Sequence, residues 1–164
     1  MRIIGIDPGI AIVGYGIIDI VGNGFSVVDY GIIETPSTMD ELERLKSIYD
    51  SMNILIDRYN PQEAAIEELF FNKNIKTAIQ VAQARGVELL ACMNRGLEVY
   101  EYTPLQIKQA VVGYGRAEKK QIQEMVKMLL NLKSIPKPDD AADGLAIAIT
   151  HAHSRKHKEM FRVK

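Results

Sequence analysis

Hydrophobic residues in the first 35 positions occur in three short runs separated by turn residues. The runs cover Arg2–Asp7, Val13–Ile20 and Phe25–Ile33, and the turns are Pro8-Gly9 and Gly22-Asn23-Gly24. Runs of this length, rich in isoleucine and valine and bounded by glycine or proline, are typical of β-strands. Their short connections predict an antiparallel meander of three strands.

The rest of the chain alternates between helical and strand patterns. Apolar residues from Leu42 to Ile56 recur at helical spacing, Thr38 and Glu41 have the spacing of a capping box, and Asn60-Pro61 predicts the end of this helix. The pattern then predicts a strand over Ala64–Phe71, a helix over Ile75–Asn94, a strand over Leu97–Tyr102, and helices over about Pro104–Val112, Ala117–Asn131 and Asp139 or Asp140 to His153.

The predicted order βββαβαβααα indicates an α/β protein. Three consecutive strands followed by strand–helix units imply a five-stranded mixed sheet flanked by helices, which is the layout of the ribonuclease-H-like fold. A length of 164 residues predicts a single domain covering 1–164, and the basic residues after His153 predict a flexible tail at 154–164.

Composition and charge add two expectations. No apolar run approaches the about 20 residues that span a bilayer, the start lacks a signal-peptide pattern, and Cys92 is the one cysteine, so we expect a cytoplasmic protein with Cys92 as an apolar residue on a helix. The net charge is −1, but residues 1–100 carry −6 and residues 101–164 carry +5. This asymmetry permits either a basic nucleic-acid surface beside an acidic cluster or a solvated basic tail.

Acidic residues occur at the end of one predicted strand and inside another. Asp7 precedes Pro8-Gly9, where an acid either serves a site at the strand end or stabilises a turn through its backbone amides. Glu67 and Glu68 are adjacent in the fourth predicted strand, so their side chains point to opposite faces of the sheet. The pattern leaves open which of them is functional, and also allows an edge strand that carries a charge against aggregation.

A third acidic group begins the last predicted helix. The spacing of Asp139 and Asp140 to Asp143 brings two carboxylates onto one helix face. An N-cap role explains either of the first two acids, but not Asp143, which lies about a turn inside an otherwise apolar helix. Like charges this close destabilise a helix unless a cation lies between them.

These acids lie on separate elements that can converge at one end of the sheet. Oxygen ligands suit hard divalent ions, so we expect Mg²⁺, with Mn²⁺ as a substitute. Two such ions about 4 Å apart are the arrangement used for phosphodiester hydrolysis.

Seven ordered motifs make the chain similar to the bacterial RuvC Holliday-junction resolvases, and the similarity runs to about His153. The motifs are Ile4-Gly-Ile-Asp-Pro-Gly9, Gly14-Tyr-Gly16, Ala65-Ile-Glu-Glu-Leu-Phe70, Gln83-Ala-Arg-Gly86, Val111-Val-Gly-Tyr-Gly115, Ala117-Glu-Lys119 and Asp140-Ala-Ala-Asp-Gly-Leu-Ala146. The resemblance implies a homodimer that cuts two opposed strands of a four-way DNA junction and works with a branch-migration helicase complex.

The resemblance also implies roles for individual residues. It assigns catalysis and metal binding to four acids, and so selects one member of each ambiguous pair: Asp7, Glu67, Asp140 and Asp143. It places Lys119, as a catalytic residue, and Lys108 near the scissile phosphate. Phe70 is implied to stack on a base at the junction centre.

Other basic residues are candidates for phosphate contacts. Arg116 and Lys120 flank Lys119 at a predicted helix start, where backbone amides also favour anions. Lys73, Lys76 and Arg85 lie on or just before the second predicted helix, whose apolar face is expected to meet either a partner subunit or its own sheet. All of these are equally compatible with solvated surface positions. We interpret His151, His153 and His157 as solvated residues at the end of the last helix.

Three other functions compete with a junction nuclease. The Gly-x-Asp-x-Gly turn also begins nucleotide-binding domains of the actin and sugar-kinase type, but a second phosphate loop is absent from this sequence. A non-catalytic junction-binding module would have no need of all four acids. A nuclease acting on RNA remains open, because contacts to a 2′-hydroxyl leave no readable pattern.

Overall fold

One mixed sheet lies at the centre of the computed structural model, which describes residues 1–70 and 74–164. Its strands are β1 (Arg2–Asp7), β2 (Ile12–Val21), β3 (Gly24–Glu34), β4 (Glu63–Glu67) and β5 (Glu98–Tyr102). The order across the sheet is β3-β2-β1-β4-β5, with β1 to β3 antiparallel and β4 and β5 parallel to β1. The predicted five-stranded mixed sheet and its antiparallel meander are confirmed.

Five helices cover the two faces of this sheet. They are α1 (Glu41–Tyr59), α2 (Ile75–Asn94), α3 (Pro104–Val112), α4 (Lys119–Leu129) and α5 (Asp139–Ser154). Strand alternation divides the apolar residues between two cores, so that Ile4 and Ile6 pack towards α1 and α2 while Ile3 packs towards α3, α4 and α5. Cys92 is fully buried on α2, as expected. Within the described ranges, no helix has the length and apolar character needed to cross a bilayer.

Two predicted boundaries are wrong for identifiable reasons. Helix α1 is capped by Asp40 rather than Thr38, because Thr38 lies in a turn closed by a hydrogen bond from the Met39 N–H to the Pro36 carbonyl. Strand β4 ends at Glu67 rather than Phe71. Its neighbour β5 ends at Tyr102, after which α3 begins with Pro104, so β4 has no partner strand beyond Glu67.

The C-terminal residues are folded against the sheet, in contrast to the flexible tail expected at 154–164. They form a 3₁₀ helix, Arg155–Phe161, and the Val163 N–H donates to the Val99 carbonyl on β5 at 2.9 Å. The Lys158 ammonium pairs with the Glu63 carboxylate. Glu63 anchors this segment because it is itself held by the end of α5.

The expectation that His151 is solvated is wrong, although His153 and His157 are exposed. His151 has no exposed surface, and its two ring nitrogens lie 2.7 Å from the Tyr102 hydroxyl and 2.7 Å from a Glu63 carboxylate oxygen. A buried imidazole requires such partners, because an unpaired polar group in the core is costly. His151 therefore ties α5 to β4 and β5.

Helix α5 lies unusually close to β1 and β2 because glycines face it. A Cβ atom added at Gly14 would come within 2.0 Å of the Asp140 carbonyl oxygen, and one added at Gly16 within 2.4 Å of the Leu145 nitrogen. On the helix side, Gly144 meets the Tyr15 backbone in the same way. The Gly14-Tyr-Gly16 motif therefore lets the start of α5 approach the sheet.

This close approach predicts a large cost for Gly14→Ala. The added methyl group must displace the first turn of α5, so we expect the free energy of unfolding to fall by about 1–3 kcal/mol in urea titrations. Gly24→Ala is the matched control, because its new Cβ would meet nothing nearer than the Val21 carbonyl oxygen at 3.9 Å. Equal stability losses in the two variants would contradict the proposed contact.

Candidate active site

Asp7 and Glu67 leave the sheet side by side. Strands β1 and β4 are parallel neighbours with Ile6 opposite Ile66, so the next residue on each strand emerges at the same end. Alternation points both carboxylates towards α5, since Ile6 and Ile66 face the other core. Glu68 lies beyond the end of β4, where it lines a separate cleft with Glu101 and Thr103.

The first turn of α5 brings two more carboxylates to this point. One carboxylate oxygen from each of Asp7, Asp140 and Asp143 lies within 4.8 Å of the others. Asp139 lies outside this group, and its carboxylate accepts a hydrogen bond from the Lys137 ammonium at 2.9 Å. The alternatives left open by helical spacing are therefore separated by geometry, with Asp140 in the cluster and Asp139 beside it.

Glu67 completes the acidic side of a cavity of about 250 Å³. Its carboxyl group lies beside that of Asp7, close enough for the two groups to share a proton in the absence of a cation. The cavity is also lined by Asp143 and by the ammonium-bearing side chains of Lys108 and Lys119, together with the apolar Ile107, Ile122 and Ile147.

Burial makes full ionisation of this cluster unfavourable. It raises the pKa of Asp7 to about 8, and the charges of Glu67, Asp143 and Asp140 add to the effect. Burial also raises the pKa of Glu67, although the hydrogen bond from Asp7 opposes it, and that of Asp143, although Lys119 opposes it. A divalent cation would offset these penalties, and a donor set made only of carboxylate oxygens fits a hard ion. These acids can therefore hold a metal ion.

Lys119 is held in the cluster by an ion pair. Its Nζ lies 3.1 Å from Oδ2 of Asp143 and 3.9 Å from a carboxylate oxygen of Asp139. Burial lowers the pKa of Lys119, but the charge and hydrogen bond of Asp143, together with the charges of Asp139 and Asp140, outweigh this effect. The pKa is therefore raised, and the ammonium remains charged. Because its side chain is 55% exposed, it also faces the mouth of the cavity.

The other residues expected to contact DNA have different surroundings. Phe70 is 64% exposed just beyond β4. The side chains of Lys76, Arg116 and Lys120 are also exposed. Arg85 is different, because its guanidinium is paired with Glu101 at 2.7 Å and is only 17% exposed. Lys73, and Phe71 beside it, lie outside the described residues.

One buried acid near the site was not among the residues predicted from the sequence. Glu88 on α2 has no exposed surface, and within the described ranges neither of its carboxylate oxygens has a hydrogen-bond partner. Burial raises its pKa well above the usual range, and the negative charge of Asp7 adds to this. Its spacing from the buried Ala84, Ala91 and Cys92 was a readable signal that this position faces the core.

Comparison with known proteins identifies the family. A model of the family described as crossover junction endodeoxyribonuclease RuvC matches residues 3–151. The chain belongs to the RuvC family. RuvC from Alkaliphilus oremlandii is 62% identical over 164 residues and is covered completely, as is this chain, and RuvC from Clostridioides difficile is 60% identical over 156 residues, which are 95% of this chain and 92% of that protein.

Solved RuvC structures share the whole fold. The structure of Thermus thermophilus RuvC in complex with Holliday junction substrate is 34% identical, covers 99% of each chain and superposes with a TM-score of 0.94. Another structure of Thermus thermophilus RuvC covers 99% of this chain and 98% of that one with a TM-score of 0.90. The expected ribonuclease-H-like fold is confirmed by this match.

The raised pKa of Asp7 predicts that its contribution to stability depends on pH. Between about pH 4 and pH 8 the folded state retains a proton that the unfolded chain releases, so this contribution falls as the pH rises through that range. With chelator present, Asp7→Asn should therefore exceed the wild type in unfolding free energy by about 1–3 kcal/mol at pH 8, and by less at pH 5.

Urea titrations at the two pH values measure this difference. Asp139→Asn is the control, because Lys137 lowers the pKa of Asp139, so this variant should lose rather than gain stability at pH 8. A difference between Asp7→Asn and the wild type that does not change with pH would contradict a raised pKa at Asp7.

Proposed function

We propose that this protein is an endonuclease that resolves four-way DNA junctions during recombination and repair, by paired, nearly symmetric hydrolysis of opposed strands. The observation that carries the proposal is the meeting of Asp7, Asp140 and Asp143 within 4.8 Å in a chain of the RuvC family. Clustered buried carboxylates are a cost to folding unless they serve a cation, and a cation held by oxygen ligands is suited to phosphodiester chemistry. This favours a nuclease over a nucleotide-binding domain or a non-catalytic binding module.

The metal we propose is Mg²⁺, with two ions per site and Mn²⁺ as a substitute. Asp7, Glu67, Asp140 and Asp143 would hold it, because all four are carboxylates at one end of the sheet. When bound, such ions activate an attacking water and stabilise the charge that develops on the leaving 3′ oxygen.

Lys119 and Lys108 supply the positive charge on the other side of the cavity. Both line it together with Asp7 and Glu67, so a phosphate entering the cavity would meet ammonium groups opposite the acids. Lys119 also stands at the first position of α4, where free backbone N–H groups favour an anion. We therefore propose that Lys119 binds the scissile phosphate and Lys108 assists it.

The surface around the cavity supports binding of branched DNA. Phe70 presents an aromatic ring to solvent just past Glu67, and we propose that it stacks on a base at the junction. Lys76, Arg116 and Lys120 are exposed and would contact phosphates, and we extend this role to Lys73. We propose a cytoplasmic location and, from the family, a branch-migration helicase complex as a partner.

A symmetric dimer is supported by an exposed apolar stripe on α2. We call its residues Ile75, Ile79, Leu90 and Met93 the α2 stripe, and each is more than half exposed. Their spacing follows one face of the helix, and Gly86 lies between them with open space beside it. The opposite face of α2 packs on the sheet of its own subunit, as one of the two expectations for this helix had it. For the exposed face, we propose that the α2 stripe meets the α2 stripe of a second subunit.

The catalytic proposal predicts opposite results within each pair of neighbouring acids. Glu67→Gln and Asp140→Asn should each slow Mg²⁺-dependent cleavage of a labelled four-way junction by at least about 100-fold, while junction binding persists. Glu68→Gln and Asp139→Asn are the matched controls, because Glu68 lines a separate cleft and Asp139 lies outside the group of clustered carboxylates and pairs with Lys137. Equal losses within either pair would overturn the assignment, and a wild-type protein that cleaves no junction in Mg²⁺ would overturn the function.

The dimer proposal predicts that one charge in the α2 stripe separates the subunits. Leu90→Arg should raise the dimer dissociation constant by at least about 100-fold, because an unpaired guanidinium would be buried at the interface. Sedimentation velocity over a range of concentrations measures this change. Val21→Arg is the control, since Val21 is an equally exposed apolar residue at the end of β2. A dimer unaffected by Leu90→Arg would place the interface elsewhere.

A further inference from the structure

We propose that Arg85 is a positioning residue that holds the end of β4 and thereby fixes Glu67 in the metal site. The inference rests on the proposed function, because Glu67 must be a metal ligand for its position to matter. It also replaces the phosphate contact that the sequence suggests for Arg85.

The contacts of Arg85 join two strand ends. From α2, its Nη2 donates a hydrogen bond to Oε2 of Glu101 at 2.7 Å, and its Nε donates a long one to the main-chain carbonyl of Glu67 at 3.4 Å. Glu101 lies on β5 next to Tyr102, which is the register partner of Glu67. One guanidinium therefore links the last residue of β4 to the penultimate residue of the neighbouring strand β5.

The Glu67 carbonyl lies at the end of β4, where the two neighbouring strands β1 and β5 also end. The Glu68 N–H donates to the Tyr102 carbonyl, so strand alternation turns the Glu67 carbonyl away from β5 and towards β1. On β1 the residue after Asp7 is Pro8, which has no N–H. Arg85 thus provides a donor that the end of β1 does not offer to the end of β4.

The side chain of Glu67 depends on this anchor because β4 is short. The strand has five residues, Glu67 is its last, and the chain then leaves the sheet towards the exposed Phe70. The Glu68 N–H still donates to the Tyr102 carbonyl, but the chain leaves the sheet directly after it, and strand ends open readily. A metal ligand displaced by about 1 Å can lower a catalytic rate about 100-fold. Fixing the main-chain carbonyl of Glu67 therefore helps to keep the Glu67 carboxylate in its catalytic position.

Burial and charge separate this role from a phosphate contact. The Arg85 side chain is 17% exposed and its charge is balanced by Glu101, whereas Lys76 on the same helix is exposed. With its charge balanced by Glu101 and two of its three nitrogens engaged, Arg85 would attract a phosphate less strongly than an exposed lysine. The planar guanidinium also explains the residue type, because it directs two donors at once to a carboxylate and a carbonyl, which a lysine ammonium on a flexible stem does less well.

The first test measures metal binding without catalysis. Addition of Mg²⁺ should raise the thermal unfolding temperature of the wild type, and Arg85→Met should need an about 10-fold or higher Mg²⁺ concentration for the same rise. Arg95→Met is the matched control. It removes an arginine–carboxylate pair of similar length, 2.8 Å to Asp57, that joins the end of the same helix to α1 rather than to β4. An unchanged Mg²⁺ response in Arg85→Met would overturn the proposal.

The second test separates positioning from DNA contact. In single-turnover cleavage with saturating protein, Arg85→Met should be about 10–100-fold slower than the wild type, with an unchanged junction dissociation constant and salt dependence. Arg85→Lys keeps the charge and should remain slow. A weakened junction affinity with a normal rate at saturation, restored by lysine, would instead show a phosphate contact and overturn the proposal.

The two tests together distinguish failure of this inference from failure of the proposed function. If the wild type neither responds to Mg²⁺ nor cleaves a four-way junction, the nuclease proposal fails and the role of Arg85 falls with it. If the wild type and Arg95→Met cleave, and Arg85→Met cleaves at the same rate, the nuclease proposal stands and the positioning role of Arg85 is refuted.

Discussion

Repulsion among buried carboxylates is the constraint on which the rest of the structure depends. Asp7, Glu67, Asp140 and Asp143 surround one cavity, and burial together with the charges of the other three acids raises the pKa of Asp7 to about 8. A fold that served only stability would not retain this arrangement, since apolar residues at these positions would pack without penalty. The cost becomes useful when a cation binds, because the same proximity that opposes ionisation then supplies several oxygen ligands to one ion. The acids are therefore best understood as a site that is unfavourable until it is filled.

The backbone around the cluster is arranged to maintain this proximity. Glycines on β1 and β2 allow the first turn of α5 to approach the sheet more closely than any side chain would permit. At the other end of α5, the buried contacts of His151 with Glu63 and Tyr102 fix the helix along the strands. Helix α5 is thus held at both ends, so the repulsion between its acids and Asp7 cannot be relieved by a small shift of the helix.

The hydrophobic pattern along the chain predicted those elements whose formation depends on residues close together in the sequence. Strand β1 and helix α2 have the bounds that hydrophobic spacing predicted, and the acids at strand ends and inside an apolar helix were visible as candidates. Which of Glu67 and Glu68 lies beside Asp7 depended on where β4 ends next to its neighbouring strands. The spacing of residues within one strand does not show where that point is. His151 was misjudged for a similar reason, because its partners come from β4 and β5, far away in the sequence. Contacts between polar groups that are distant in the sequence are the features that a single sequence predicts least well.

Helix α2 connects the two functional surfaces of the molecule. The α2 stripe faces away from the sheet, while Arg85, next to Gly86, reaches the end of β4 beside the acidic cluster. Paired cleavage, as proposed, makes the position of each acidic cluster relative to the dimer axis as important as its internal geometry. In the proposed dimer, one rigid helix carries both the interface and the anchor of Glu67, so that position becomes a property of one element. The same arrangement implies that a disturbance of the subunit contact would reach Glu67 through a single side chain, rather than through the whole core.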